Sequence, residues 1–140
     1  MGAISAMASP LVRRPEPSAP PLRLLLAEGE ALIAWDMAYI VKTRFQCSIT
    51  TVRRCDVMRA VLETACDVAV LDDTLDDDAL IGTGRAITGV GCGLVICATR
   101  SAGQARNLAC LDCPVVFKPF SDLRFCDAIE AAVRALRIRN

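Results

Sequence analysis

The chain has 140 residues, enough for one domain with a substantial core. Hydrophobic residues make up 54% and aromatics 4%, so that core is aliphatic, and sixteen basic residues balance sixteen acidic ones, which argues against nucleic acid or an anionic membrane as the main partner. There is no histidine, which excludes histidine triads, histidine metal sites and a phosphohistidine on this chain.

Residues 1–21 hold five of the seven prolines among Ser and Ala and read as a flexible leader, with the domain at 22–140. Ser5, Ser9 and Pro10 interrupt its apolar stretch, so it is not a secretory signal. A strand is expected at 23–27, then a helix from about 30 to 45, where Ala31, Leu32, Ala34, Trp35, Ala38, Tyr39 and Val41 recur at helical spacing. A short strand at 47–52 precedes a helix at about 55–66, carrying Val57, Val61, Leu62 and Ala65. A strand at 68–72 leads to a weaker helix at about 78–88, diluted by Gly82, Gly84 and Gly89. A strand at 94–98, a helix at about 102–111 and a strand at 115–118 follow. The last helix starts after Ser121, the expected N-cap, and runs through Ile129, Val133 and Leu136. Trp35, Tyr39, Phe45, Phe125 and Cys126 read as packing residues. Five βα units with right-handed crossovers give a three-layer α/β sandwich.

Four of the apolar runs stop at a polar residue: Glu28, Asp72, Thr99 and Lys118. In a parallel sheet covered on both faces, such strand ends share one crevice. Two acids, a hydroxyl and an ammonium suit a divalent metal and a phosphoryl group. Five of the acids crowd into 72–78, whereas only Lys42 and Lys118 supply lysine. Eight cysteines read as small hydrophobes of a reduced, cytoplasmic chain. Cys110-x-x-Cys113 has no second pair to complete a zinc site. No apolar run reaches transmembrane length.

Glu28 after the first strand, Asp72 after the third, Thr99 after the fourth and Lys118-Pro119-Phe120 after the fifth resemble the receiver domain of two-component response regulators. The resemblance covers residues 23–138 and implies a flavodoxin-like (βα)5 sandwich with parallel sheet order 2-1-3-4-5. It implies that Asp72 is the phosphoacceptor, attacking a phosphohistidine on a histidine kinase or phosphotransfer protein. It implies Mg²⁺ held by Glu28, Asp72 and the backbone carbonyl of Thr74, with Thr99 on a phosphoryl oxygen and Lys118 neutralising its charge. A cis Lys118–Pro119 bond is also implied.

The departures shape the functional expectation. Receivers carry a second acid after the first strand, a direct metal ligand, and here that position is Gly29, so Mg²⁺ binding is expected to be weakened. Glu30 is expected to start the helix instead. Arg100 replaces a small residue and either approaches the acceptor or stands in solvent. Val115 replaces the aromatic switch residue, and Asp76-Asp77-Asp78 read as loop and helix-start charges. The expected function is a single-domain response regulator phosphorylated on Asp72. It would signal to a downstream protein through the surface around 102–111, 115–118 and the last helix, as a monomer or weak homodimer without nucleic acid or membrane. The alternative is an unphosphorylated pseudo-receiver interaction module. An enzyme is not expected: Asp72-Asp73-Thr74 resembles the nucleophile strand of haloacid-dehalogenase-type phosphohydrolases, but Thr74 replaces their second acid. No output module is expected after Asn140.

Overall fold

The computed structural model describes residues 20–73, 76–101 and 103–139. Residues 1–19 of the leader lie outside these. The strands are β1 (Leu22–Ala27), β2 (Cys47–Thr51), β3 (Val68–Asp72), β4 (Gly93–Ala98) and β5 (Val115–Phe117). They form one sheet of order β2-β1-β3-β4-β5 with every neighbouring pair parallel, the flavodoxin-like order expected. The helices are α1 (Ala31–Arg44), α2 (Val57–Glu63, entered through a 3-10 turn at Arg54–Asp56), α3 (Asp77–Gly89) and α4 (Asp122–Arg139).

Every residue of β3 and β4 is buried, as apolar strands covered on both faces must be. Alternate residues supply the two layers. Leu24, Leu26, Val68, Val70 and Val95 meet Met37, Ile40 and Val41 of α1 and Phe125 and Ile129 of α4. On the other face, Leu25, Ala69, Leu71, Leu94 and Ile96 meet Val57, Val61, Leu80 and Ile87. Each large aliphatic side chain so buried stabilises the fold by roughly 1.5–3 kcal/mol. The edge strand β2, rich in Ser and Thr, is only half covered.

Two expectations change. The helix read at 102–111 is a 3-10 helix at Arg106–Leu111. Ala105, Leu108 and Leu111 are the residues buried there. Three-residue spacing is the repeat of a 3-10 helix, not of an α-helix. Trp35 and Tyr39 do not pack in the core: they are 72% and 61% exposed and stack on each other at a ring-centroid distance of 6.4 Å. The buried stripe of α1 runs through Ala34, Met37, Ile40 and Val41, which turns the two rings outward. Phe45, Phe125 and Cys126 do pack against the core.

The glycine-diluted helix α3 is complete. Asp76 caps it by accepting the Ala79 N–H at 2.8 Å. Gly84 is buried, and a Cβ there would meet Leu111 and Leu94 side-chain carbons at 2.9 and 3.0 Å. The helix ends in a Schellman motif: the Cys92 N–H reaches the Ile87 carbonyl at 3.3 Å and the Gly91 N–H the Thr88 carbonyl at 3.1 Å. Gly91 has φ +87°, where an L side chain is strained. Gly91→Ala is therefore expected to cost about 1 kcal/mol and lower Tm by about 3–5 °C. Thermal unfolding followed by circular dichroism checks this, and an unchanged Tm would contradict it. Ser121 caps α4 as expected, accepting the Arg124 N–H at 3.1 Å. Among the described residues no helix is long and apolar enough to cross a membrane.

Candidate functional site

Parallel pairing brings the carboxyl ends of β1, β3, β4 and β5 side by side, and with them Glu28, Asp72, Thr99 and Lys118. The Lys118 Nζ donates to Glu28 Oε1 at 2.5 Å, joining residues 90 positions apart. Burial pushes the Lys118 ammonium down, but the hydrogen bond and charge of Glu28 outweigh it and hold the group above its usual value. The Lys118–Pro119 bond is cis, as the resemblance implied.

Asp72 ends β3 with its side chain only 1% exposed. Its Oδ2 accepts the Gly29 N–H at 3.0 Å. Its Oδ1 lies 3.8 Å from the Nε of Arg54, in the turn that follows β2. Because β2 runs parallel to β1, its carboxyl end opens on the same crevice. An arginine just beyond it therefore reaches the Asp72 carboxylate. Glu30 occupies the N-cap position of α1 without a side-chain capping bond, and its N–H donates to Glu28 Oε2 at 3.2 Å.

The hydroxyl expected to face a phosphoryl group is engaged elsewhere. Thr99 Oγ1 donates to Asp73 Oδ1 at 3.2 Å, and the Thr99 N–H to Asp73 Oδ2 at 3.1 Å. Arg100 Nε donates to the same carboxylate at 3.1 Å, and its Nη1 reaches Asp77 at 2.6 Å. Asn107 also donates to Asp77, at 3.3 Å. Burial pushes the Asp73 carboxyl up, yet the Thr99 N–H, the Arg100 guanidinium and the Thr99 hydroxyl together hold it below its usual value. Arg100 thus serves Asp73 and Asp77, and Asp77 is more than a solvated loop charge. Val115 at the start of β5 joins the aliphatic packing on the α2–α3 side of the sheet.

The sequence reading overlooked Arg54 and Asp73. A signal for Arg54 is present: β2 is the edge strand of the same sheet, and Val52-Arg53-Arg54 directly follows its last residue, Thr51. Asp73 stood in the shadow of its neighbour, since adjacent acids do not reveal which faces the crevice.

The residues present fit a magnesium ion poorly. Mg²⁺ demands near-ideal octahedral oxygen coordination. Glu28 is paired with Lys118, and Thr74 lies outside the described residues. A Cβ on Gly29 would sit 3.2 Å from Arg54 Nη2 and 3.6 Å from Asp72 Oδ2, so a guanidinium borders the space a second acid would use. Among the described residues no group of three His, Cys, Asp or Glu could hold a metal. Beside the site, Glu28, Gly29, Trp35, Lys42, Arg53 and Arg54 line an open groove of about 780 Å³.

No protein-family model matches the sequence, and no curated protein does. Solved structures do match. A response regulator receiver domain protein from Clostridium thermocellum is 16% identical with a TM-score of 0.70, over 85% of this chain and 99% of that one. The signal receiver domain of a putative Luxo repressor protein from Vibrio parahaemolyticus is 18% identical with a TM-score of 0.72, over 86% and 95%. A response regulator receiver protein from Sinorhizobium medicae WSM419 is 18% identical with a TM-score of 0.69, over 82% and 96%. The fold is therefore the one that receiver domains of response regulators share.

Proposed function

We propose that this receiver-fold chain is a signalling module in which Asp72 accepts a phosphoryl group from a phosphohistidine on a histidine kinase or phosphotransfer protein. It passes the signal on by protein contact. One observation carries this reading: the Asp72 carboxylate shares its crevice with Lys118, Arg54 and Thr99, two cations and a hydroxyl at the ends of a parallel sheet.

An Asp72 carboxylate oxygen attacks the phosphorus of the donor, the P–N bond breaks, and its electron pair returns to the imidazole of the donor protein. The product is an aspartyl phosphate. The transferred group spreads negative charge over its oxygens, and catalysis is mostly positioning and charge stabilisation. The Lys118 ammonium, with three N–H donors, can bind a phosphoryl oxygen while it still donates to Glu28. The Thr99 hydroxyl exchanges Asp73 for a phosphoryl oxygen, while the Thr99 N–H and Arg100 keep Asp73 in place. Arg54 supplies positive charge on the side where the second acid is missing. No substrate is turned over, and the chain is proposed to work in the cytoplasm.

The near-complete burial of Asp72 favours a second reading, a pseudo-receiver that binds partners without phosphorylation. Acetyl phosphate separates the two. The first reading expects an acid-stable, hydroxylamine-labile adduct on Asp72, seen by intact mass and absent from Asp72→Asn. No adduct with acetyl phosphate, and none with a panel of phosphorylated histidine phosphotransfer proteins, leaves the pseudo-receiver.

A further inference from the structure

At the end of the sheet opposite Asp72, the thiols of Cys66 and Cys92 face each other with the sulfurs 2.7 Å apart. Both residues stand just before adjacent strands, β3 and β4, whose first residues pair as Val68 with Gly93. The backbone holds them there firmly. Cys92 is buried, and its N–H closes the Schellman motif of α3. Asp67, next to Cys66, binds the Arg23 guanidinium and backbone N–H and accepts the Gly93 N–H at 2.8 Å, so it ties the starts of β1, β3 and β4 together. A cavity of about 80 Å³ adjoins Cys66, lined by Arg23, Ser48, Thr50 and Thr64. Liquid water takes about 30 Å³ per molecule, so a peroxide-sized molecule fits there.

We propose that Cys66 and Cys92 are a redox-active pair that a hydroperoxide converts to a disulfide. The Cys66 thiolate attacks the distal peroxide oxygen, breaking the O–O bond, giving a sulfenic acid and releasing water, or an alcohol from an organic hydroperoxide. The Cys92 thiol then attacks the Cys66 sulfur, the S–O bond breaks, and a second water leaves. The pair gives up two electrons and two protons, and the peroxide takes them up. The order of attack follows the surroundings: the Cys92 hydrogen bond lowers the Cys66 thiol against burial and Asp67, with Arg23 assisting, whereas that hydrogen bond and burial raise Cys92. Burial pushes the buried Cys97 and the half-buried Cys113 up to about 12. The bond would clamp the starts of β3 and β4.

The test treats the reduced full-length chain with a small excess of hydrogen peroxide, quenches with an alkylating agent and maps tryptic peptides. Before alkylation the intact chain is expected to lose about 2 Da, two hydrogens, relative to the reduced form, and dithiothreitol restores it. It should come with a cross-link between peptide 60–85, which contains Cys66, and peptide 86–100. Because 86–100 also holds Cys97, Cys97→Ser must retain the cross-link and Cys92→Ser must lose it. Cys92→Ser should instead accumulate a Cys66 sulfenic acid trapped by dimedone. The oxidised wild type should melt several degrees higher than the reduced form. Oxidation of any other cysteine ahead of this pair, or a cross-link formed only in denaturant, would overturn the proposal.

Discussion

Gly29→Asp combined with Arg54→Ala should turn a site poorly fitted to magnesium into one that binds it, where neither change alone does so. The reason is geometric. An aspartate introduced at position 29 starts from a Cβ only 3.2 Å from Arg54 Nη2, so its carboxylate pairs with the guanidinium instead of a metal. Removing Arg54 alone takes away a repelling charge but leaves too few oxygen ligands for an octahedral ion. Coulomb's law puts the repulsion between a guanidinium and a dication about 5 Å apart at several kcal/mol for an effective dielectric of about 20. The two changes are therefore strongly non-additive, as expected for groups in contact. The single tryptophan, Trp35, lines the same groove as Glu28, Gly29 and Arg54 and reports directly. Manganese should quench its fluorescence in the double variant at least about tenfold more tightly than in the wild type, with magnesium competing; tenfold corresponds to 1.4 kcal/mol. Tight, saturable quenching of the wild type by manganese would show that Arg54 does not keep dications away.

Asp73→Ala should be the most damaging single change near the crevice. The Asp73 side chain is 2% exposed and takes three hydrogen bonds, from the Thr99 N–H, the Thr99 hydroxyl and Arg100. Truncation leaves those donors without their acceptor, and each lost partner costs about 1–3 kcal/mol. Arg100 keeps Asp77, which moderates the loss. A net cost of about 3 kcal/mol and a fall in Tm on the order of 10 °C follow. Asp73→Asn, which keeps the shape, should cost about half as much. The sign of the acid dependence is fixed. Asp73 is held below its usual value, so its contribution is complete above the unfolded value of about 3.9 and disappears as pH falls through the lower folded value. The stability difference between wild type and Asp73→Asn should therefore narrow below about pH 4. A difference that stayed constant to pH 2 would mean that the Asp73 charge is not what the network uses.

The sheet could be read from the chain because its strands are continuous apolar runs, and burial on both faces leaves such runs little choice of structure. The convergence of Glu28, Asp72, Thr99 and Lys118 followed from the same fact, since parallel strands deliver their ends to one side. Who pairs with whom did not follow. Lys118 binds Glu28, and Thr99 binds Asp73, choices made by side-chain reach across strands that are distant in sequence. Helical spacing misplaced Trp35 and Tyr39 because it counts apolar residues without saying which side of the helix the core takes. Arg54 was missed because its value arises only once β2 is seated beside β1.

Arg54 also changes how the crevice relates to its surroundings. A metal ion must be recruited, and its occupancy follows its concentration in the medium. A guanidinium joined to the carboxylate through the backbone has the effective concentration of a tethered group, millimolar or more, under all conditions. At 3.8 Å the pair is closer than the ~8 Å screening length of physiological salt. The Arg54 charge beside Asp72 is thus set when the chain is synthesised and does not depend on what the medium supplies.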